Sequence, residues 1–146
     1  MIKLYTIGFT AKSAEQFFAL LEQNGVKKIV DTRLRPHSQL AGFAKGLDLA
    51  FLARRLAGID YEHILNFAPT KALLDQYRKK QLSWDDYAAA YLHLLEDRAI
   101  RETLDISELH QACLLCSEHT PERCHRRLLA EYLQAANPQI EIAHLT

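Results

Sequence analysis

The chain has 146 residues, 49% hydrophobic and 25% charged, which suits one globular domain with its own core. Eighteen basic side chains balance eighteen acidic ones, so no global field draws the chain to nucleic acid or an anionic membrane, and any anion site has to be local. No apolar run nears the roughly 20 residues that span a bilayer, the start MIKLYTIGFT lacks a signal peptide's apolar region, and three cysteines are an odd count without framework spacing, so a cytoplasmic protein is expected.

In chain order the elements alternate between strand and helix. Leu4 to Phe9 is an apolar run that reads as a first strand, with Gly8 near its end. Ser13 offers an N-cap with Gln16 three residues on, a capping box. The helix it opens carries Phe17, Phe18, Leu20 and Leu21 on one face and closes at Gly25. Ile29 and Val30 form a second strand that runs into Asp31, Thr32 and Arg33. Leu34 to Gly46, holding Pro36, Ser38 and Gly42, reads as a loop. A helix over Leu47 to Ala57 stops at Gly58, and Ile59 to Leu65 is a third strand interrupted by Asp60, Glu62 and His63. Pro69 and Thr70 open a helix through Lys79, and Ser83 with Asp86 caps another through about Glu96. Ala99 to Leu109 is irregularly helical. Ala112 to Cys116 is a fourth strand. Thr120 as N-cap and Pro121 as first helical residue predict a helix to Ala136, and Ile140 to Leu145 is a last strand.

No repeat, low-complexity tract or linker divides the chain, so residues 1–146 are expected to form a single α/β domain. Strands separated by helices imply parallel pairing through right-handed crossovers. The strands are apolar throughout rather than alternating, as when helices cover both sheet faces. A three-layer sandwich with a mostly parallel sheet of about five strands is expected, in the order 3-2-1-4-5. Ligands of open α/β sheets bind outside the carboxyl ends of the strands, where neighbouring connections part.

Three segments would converge there: Gly8, Phe9 and Thr10 after strand 1; Asp31, Arg33, Arg35, Pro36 and Ser38 after strand 2; Cys116, Glu118, Cys124, His125 and Arg126 after strand 4. Cys124 is the better candidate nucleophile, since a helix N-terminus and the adjacent His125 and Arg126 would favour its thiolate. Cys116 ends a buried strand and also reads as a small hydrophobe. Glu118 could act as a general base or hold Arg126. Asp31 and Arg33 could be a structural ion pair, and Gly8 could serve only a tight turn. A disulfide between Cys116 and Cys124 stays open beside these roles. Read as metal ligands, Cys113, Cys116, Cys124 and His125 would suit zinc. Against that, Cys113 and Cys116 stand three apart on one strand and point to opposite faces. Arg78, Lys79 and Lys80 read as a solvated helix face, and Tyr77, Trp84, Tyr87 and Tyr91 as packing residues at helical spacing.

The segments LYTIGFT, IVDTRLRPHS, GIDYEHI, APTKALLDQYRKKQLSWDDY and LLCSEHTPERCHR resemble those of the domain of unknown function 488 family. Thr32 stands where the family has valine, Phe9 and Thr10 where many relatives have His-Ser, and Asn66-Phe67-Ala68-Pro69 where many carry a glycine pair. The resemblance implies the α/β fold and one pocket from Gly8, Asp31, Arg33, Pro36, Ser38, Cys116, Glu118, Cys124, His125 and Arg126. It implies no reaction.

The function expected from the residues is that of an enzyme, a hydrolase or transferase, acting on a small phosphate-bearing, nucleotide-like anion. Gly8, Thr10, Arg33, Pro36, Ser38 and Arg126 would bind it. Cys124 or Cys116 would attack, and Asp31, Glu118 or His125 would move protons. No cofactor, nucleic acid or membrane partner is expected. The alternatives are a non-catalytic nucleotide- or anion-binding or redox-sensing module and a structural zinc site.

Overall fold

A computed structural model describes residues 1–37 and 42–146. The described strands are β1 (Ile2–Gly8), β2 (Lys28–Asp31), β3 (Asp60–His63), β4 (Ala112–Cys116) and β5 (Ile140–Leu145). The helices are α1 (Ala14–Gln23), α2 (Gly46–Ala57), α3 (Lys71–Arg78), α4 (Trp84–Asp97), α5 (Ile100–Thr103) and α6 (His125–Ala136). The capping signals place most of these. Ser13 and Gln16 exchange both bonds of the capping box, Thr70 accepts from the Leu73 amide, and Ser83 accepts from the Asp86 amide. Gly58 ends α2 in the left-handed region that an L side chain avoids.

All described strands pair in parallel in the order β3-β2-β4-β1-β5. The class is the expected one; the order differs by exchange of β1 and β4. Both strands are apolar and buried on both faces, so either suits an interior slot. The crossover from β1 through α1 to β2 skips one position, and β4 fills it. The polar strands β3 and β5 take the edges, as expected for segments carrying Asp60, Glu62, Glu141 and His144.

Alternate side chains feed two cores. Leu4, Val30 and Leu114 pack with Tyr91, Leu95, Leu129 and Leu133 under α4 and α6. Tyr5, Ile7, Ile29, Cys113 and Leu115 pack with Phe17, Leu21, Leu49 and Ala53 under α1 and α2. Cys113 and Cys116 therefore do face opposite sides of the sheet, and the four-ligand zinc arrangement is not assembled. Burial in that second core pushes the Cys113 thiol pKa up.

Two other elements differ from expectation. The irregular stretch after α4 resolves into α5 and a 3-10 turn, Ile106–Leu109. Helix α6 starts at His125 with Cys124 as its N-cap residue, four residues later than Pro121 would place it. The reason lies in residues 117–123. Thr10 Oγ1 donates to the Ser117 carbonyl at 2.5 Å and Arg126 Nη1 donates to the Glu118 carbonyl at 2.7 Å. The loop is thus held back over β1 before the helix begins.

Candidate active site

The three expected segments do meet. Gly8 and Cys116 are register partners on neighbouring strands, Asp31 pairs with Leu115, and the Thr32 amide donates to the Leu115 carbonyl at 3.0 Å. Cys116 thus sits centrally, between the ends of β1 and β2.

Asp31 is fully buried and its carboxylate is committed. Arg33 Nε donates to Oδ1 at 2.8 Å, Arg33 Nη2 to Oδ2 at 2.6 Å, and the Tyr61 hydroxyl to Oδ2 at 2.5 Å. Its geometry is that of a group holding Arg33, not one facing a ligand. Sequence reasoning does not single out Tyr61; burial, and then its hydrogen bond to the Asp31 carboxylate, push its pKa up. Arg33 is only 3% exposed, stacks over the Phe9 ring at 5.3 Å, and has its carbonyl 2.7 Å from His63 Nε2. Its Nη1 has no hydrogen-bond partner among the described residues.

Arg126 is the second buried guanidinium. It has no solvent exposure and no carboxylate partner among the described residues. Its Nη1 donates to the Glu118 carbonyl and lies 3.1 Å from Cys116 Sγ and 3.5 Å from Cys124 Sγ. Nε and Nη2 have no hydrogen-bond partner among the described residues. Burial lowers its pKa to about 10. Glu118 therefore does hold Arg126, but through its carbonyl; its carboxylate is exposed. Cys116 and Cys124 are joined by a disulfide.

His125 does not supply a cation to Cys124. Thr32 Oγ1 donates to the Leu115 carbonyl, so it accepts from His125 Nε2, which also lies 2.9 Å from the Thr32 carbonyl. Nε2 is thereby the protonated nitrogen. Burial, with the nearby Arg126 charge, lowers the imidazole pKa to about 4, so it is neutral at pH 7. Ligand atoms of Cys116, Cys124 and His125 lie within 4.8 Å of one another, but Arg126 Nη1 occupies the neighbourhood of both sulfurs, which disfavours a dication there.

Gly8 is required by close approach. A Cβ there would strike the Glu118 carbonyl oxygen and lie 2.8 Å from Arg126 Nη1. Thr10 is exposed and clamps Ser117. Pro36 is buried, its carbonyl accepting from the Gly46 amide, and Ser38 lies outside the described residues.

A cavity of about 350 Å³ opens over the disulfide. The end of β4, the loop after it and the start of α6 contribute Cys116, Glu118, Arg123, Cys124 and His125; the segment after β2 contributes Arg33 and Arg35. Helix α3 adds Lys71, Asp75, Tyr77 and Arg78, and α4 adds Tyr87. Arg126 stands behind the cysteines and is not in the wall. Arg78, Tyr77 and Tyr87, read from sequence as surface or packing residues, face this space; helical spacing alone does not reveal that α3 lies across the strand ends.

A family model described as a domain of unknown function, DUF488, matches residues 13–133. The chain belongs to the DUF488 family. No curated protein and no solved structure matches it. The DUF488 span includes both buried arginines and both bonded cysteines, whereas Gly8 and Thr10 precede it. No helix among the described residues is long and apolar enough to cross a membrane.

Proposed function

We propose that the cavity binds a small phosphate-bearing, nucleotide-like anion and that, in the reduced protein, Cys124 attacks it. The observation that carries this reading is Arg33 Nη1, a buried donor without a partner among the described residues, on a side chain in the wall that also holds both cysteines. An unsatisfied buried donor costs about 1–3 kcal/mol, more when charged, and an oxyanion would remove that cost. Arg35, Lys71, Arg78 and Arg123 outnumber Asp75 and Glu118 around it, although Lys71 is paired with Asp75 at 2.6 Å. Tyr77, packed against Tyr87 at 4.7 Å between ring centroids, brings an aromatic surface to the wall that suits a base.

Arg33 engages the anion through one nitrogen, because Nε and Nη2 already serve Asp31. The Cys124 thiolate, at the N-cap of α6 where the helix dipole favours negative charge, forms a bond to phosphorus. The bond to the leaving oxygen breaks, and that oxygen takes up a proton from water at the cavity mouth, where the Glu118 carboxylate is exposed. Transfer to water or another acceptor then frees the thiolate. Asp31 acts as a positioning residue.

The test is calorimetric titration of the reduced protein with inorganic phosphate and a nucleoside monophosphate. Arg33→Lys keeps a charge beside Asp31 but removes Nη1, and should weaken binding about tenfold, the worth of a charge-assisted hydrogen bond. No binding to the wild type, or equal affinity in the variant, would remove the proposal.

A further inference from the structure

Arg126 is the part of the site that anion binding leaves unexplained. A guanidinium buried without a carboxylate is costly, and the groups nearest its Nη1, besides one carbonyl, are two sulfurs at 3.1 and 3.5 Å. In the bonded state neither sulfur carries charge. Reduction creates a thiolate within hydrogen-bond reach of Nη1 and gives Arg126 its counter-ion. The buried cation thus favours the reduced pair over the disulfide, and the two sulfurs lie together at the end of β4 and the start of α6.

We propose that Cys116 and Cys124 are a thiol–disulfide exchange couple that reacts with small disulfides bearing carboxylates, with Arg126 as the internal counter-ion of the reduced form. This goes beyond the preceding reading, which needs one thiol and no oxidation. Both cysteines line the cationic cavity, which suits an acidic disulfide. Cys124 stands at the N-cap of α6 and attacks, while Cys116, the nearer sulfur to Arg126 Nη1 at 3.1 Å against 3.5 Å, resolves.

The Cys124 thiolate attacks one sulfur of the small disulfide; the disulfide bond breaks and the departing thiolate takes up a proton. Cys116, as a thiolate beside Arg126, then attacks Cys124 Sγ. The mixed disulfide breaks, the second small thiol leaves with a proton, and the Cys116–Cys124 bond forms. Two protein thiols are oxidised and one small disulfide is reduced to two thiols. The reverse sequence runs when small thiol is in excess.

The experiment equilibrates the full chain in mixtures of reduced and oxidised glutathione and traps free thiols for mass spectrometry. A reversible Cys116–Cys124 bond is expected, with Cys113 remaining free. Arg126→Gln should oxidise at a reduced-to-oxidised ratio shifted about tenfold toward the disulfide, since a charge-assisted hydrogen bond to the thiolate is lost. Arg126→Lys, which keeps the charge, should stay close to wild type and guards against a folding defect. Cys116→Ser should accumulate one glutathione on Cys124. Absence of the bond at every ratio, or identical ratios for wild type and Arg126→Gln, would overturn the proposal.

Discussion

Two arginines are buried within one site, and they are held in opposite ways. Arg33 has a carboxylate engaged through two of its nitrogens, a tyrosine supporting that carboxylate, and an aromatic ring beneath it. Arg126 has a carbonyl and two sulfurs. The first is a finished ion pair with one donor left over; the second is a charge whose partner depends on the oxidation state of its neighbours. Positive charge in this pocket is therefore partly permanent and partly conditional.

The comparison breaks most clearly by removing one charge from each arrangement. Asp31→Asn leaves Arg33 buried without its counter-ion and should cost about 3–5 kcal/mol, the usual penalty for breaking a buried pair from one side. Arg126→Met in the oxidised protein removes a charge that has no counter-ion to lose, and should cost less than about 1 kcal/mol. Urea unfolding of both, with the disulfide kept intact, checks the contrast. Equal losses would mean that Arg126 is as fully paired as Arg33.

Gly8→Ala tests what holds the Arg126 side in place. The added methyl meets the Glu118 backbone, which cannot rotate aside as a flexible side chain would, so the 117–123 loop has to shift. Overpacking of this kind costs about 1–3 kcal/mol. The same shift lengthens the Arg126 bond to the Glu118 carbonyl, so the disulfide should also be reduced faster by an added thiol. Wild-type stability in Gly8→Ala would show that the loop has slack.

What the sequence discloses follows the range of the interaction. The Ser13–Gln16 box, the Thr70 and Ser83 caps and the left-handed Gly58 are local devices, and each marks its element where the spacing predicts. The Asp31–Arg33 pair is legible too, as one of two open readings, because residues two apart after a strand share a side. The β1 and β4 exchange is not, since two strands buried on both faces offer no polar side to tell them apart. The late start of α6 escapes for a different reason: Thr120 and Pro121 are sound helix-start residues, overridden by tertiary bonds to Ser117 and Glu118. The isolation of Arg126 is a property of what is missing around it, and no single residue signals an absence.

His125 links the two arginines, joining the residue before Arg126 to the Thr32 that separates Asp31 from Arg33. Its titration sharpens the comparison through pH. An unfolded imidazole takes up a proton near pH 6.5; in the fold, burial and the Arg126 charge delay this to about pH 4. Between those values the unfolded chain binds more protons, so stability is fully present above 6.5 and falls as the pH drops toward 4. The loss should be about 2 kcal/mol, given about 1.4 kcal/mol per pKa unit and the partial exposure of the ring. In His125→Gln, which keeps a donor for Thr32 but does not titrate, this share of the acid sensitivity should vanish. Urea unfolding at pH 7 and pH 4 measures it, and parallel losses in both proteins would place the acid-labile contact elsewhere. Arg126→Met should raise the His125 pKa by removing a nearby positive charge, whereas a change at Arg33 would act on it only through the Asp31 partner it leaves behind.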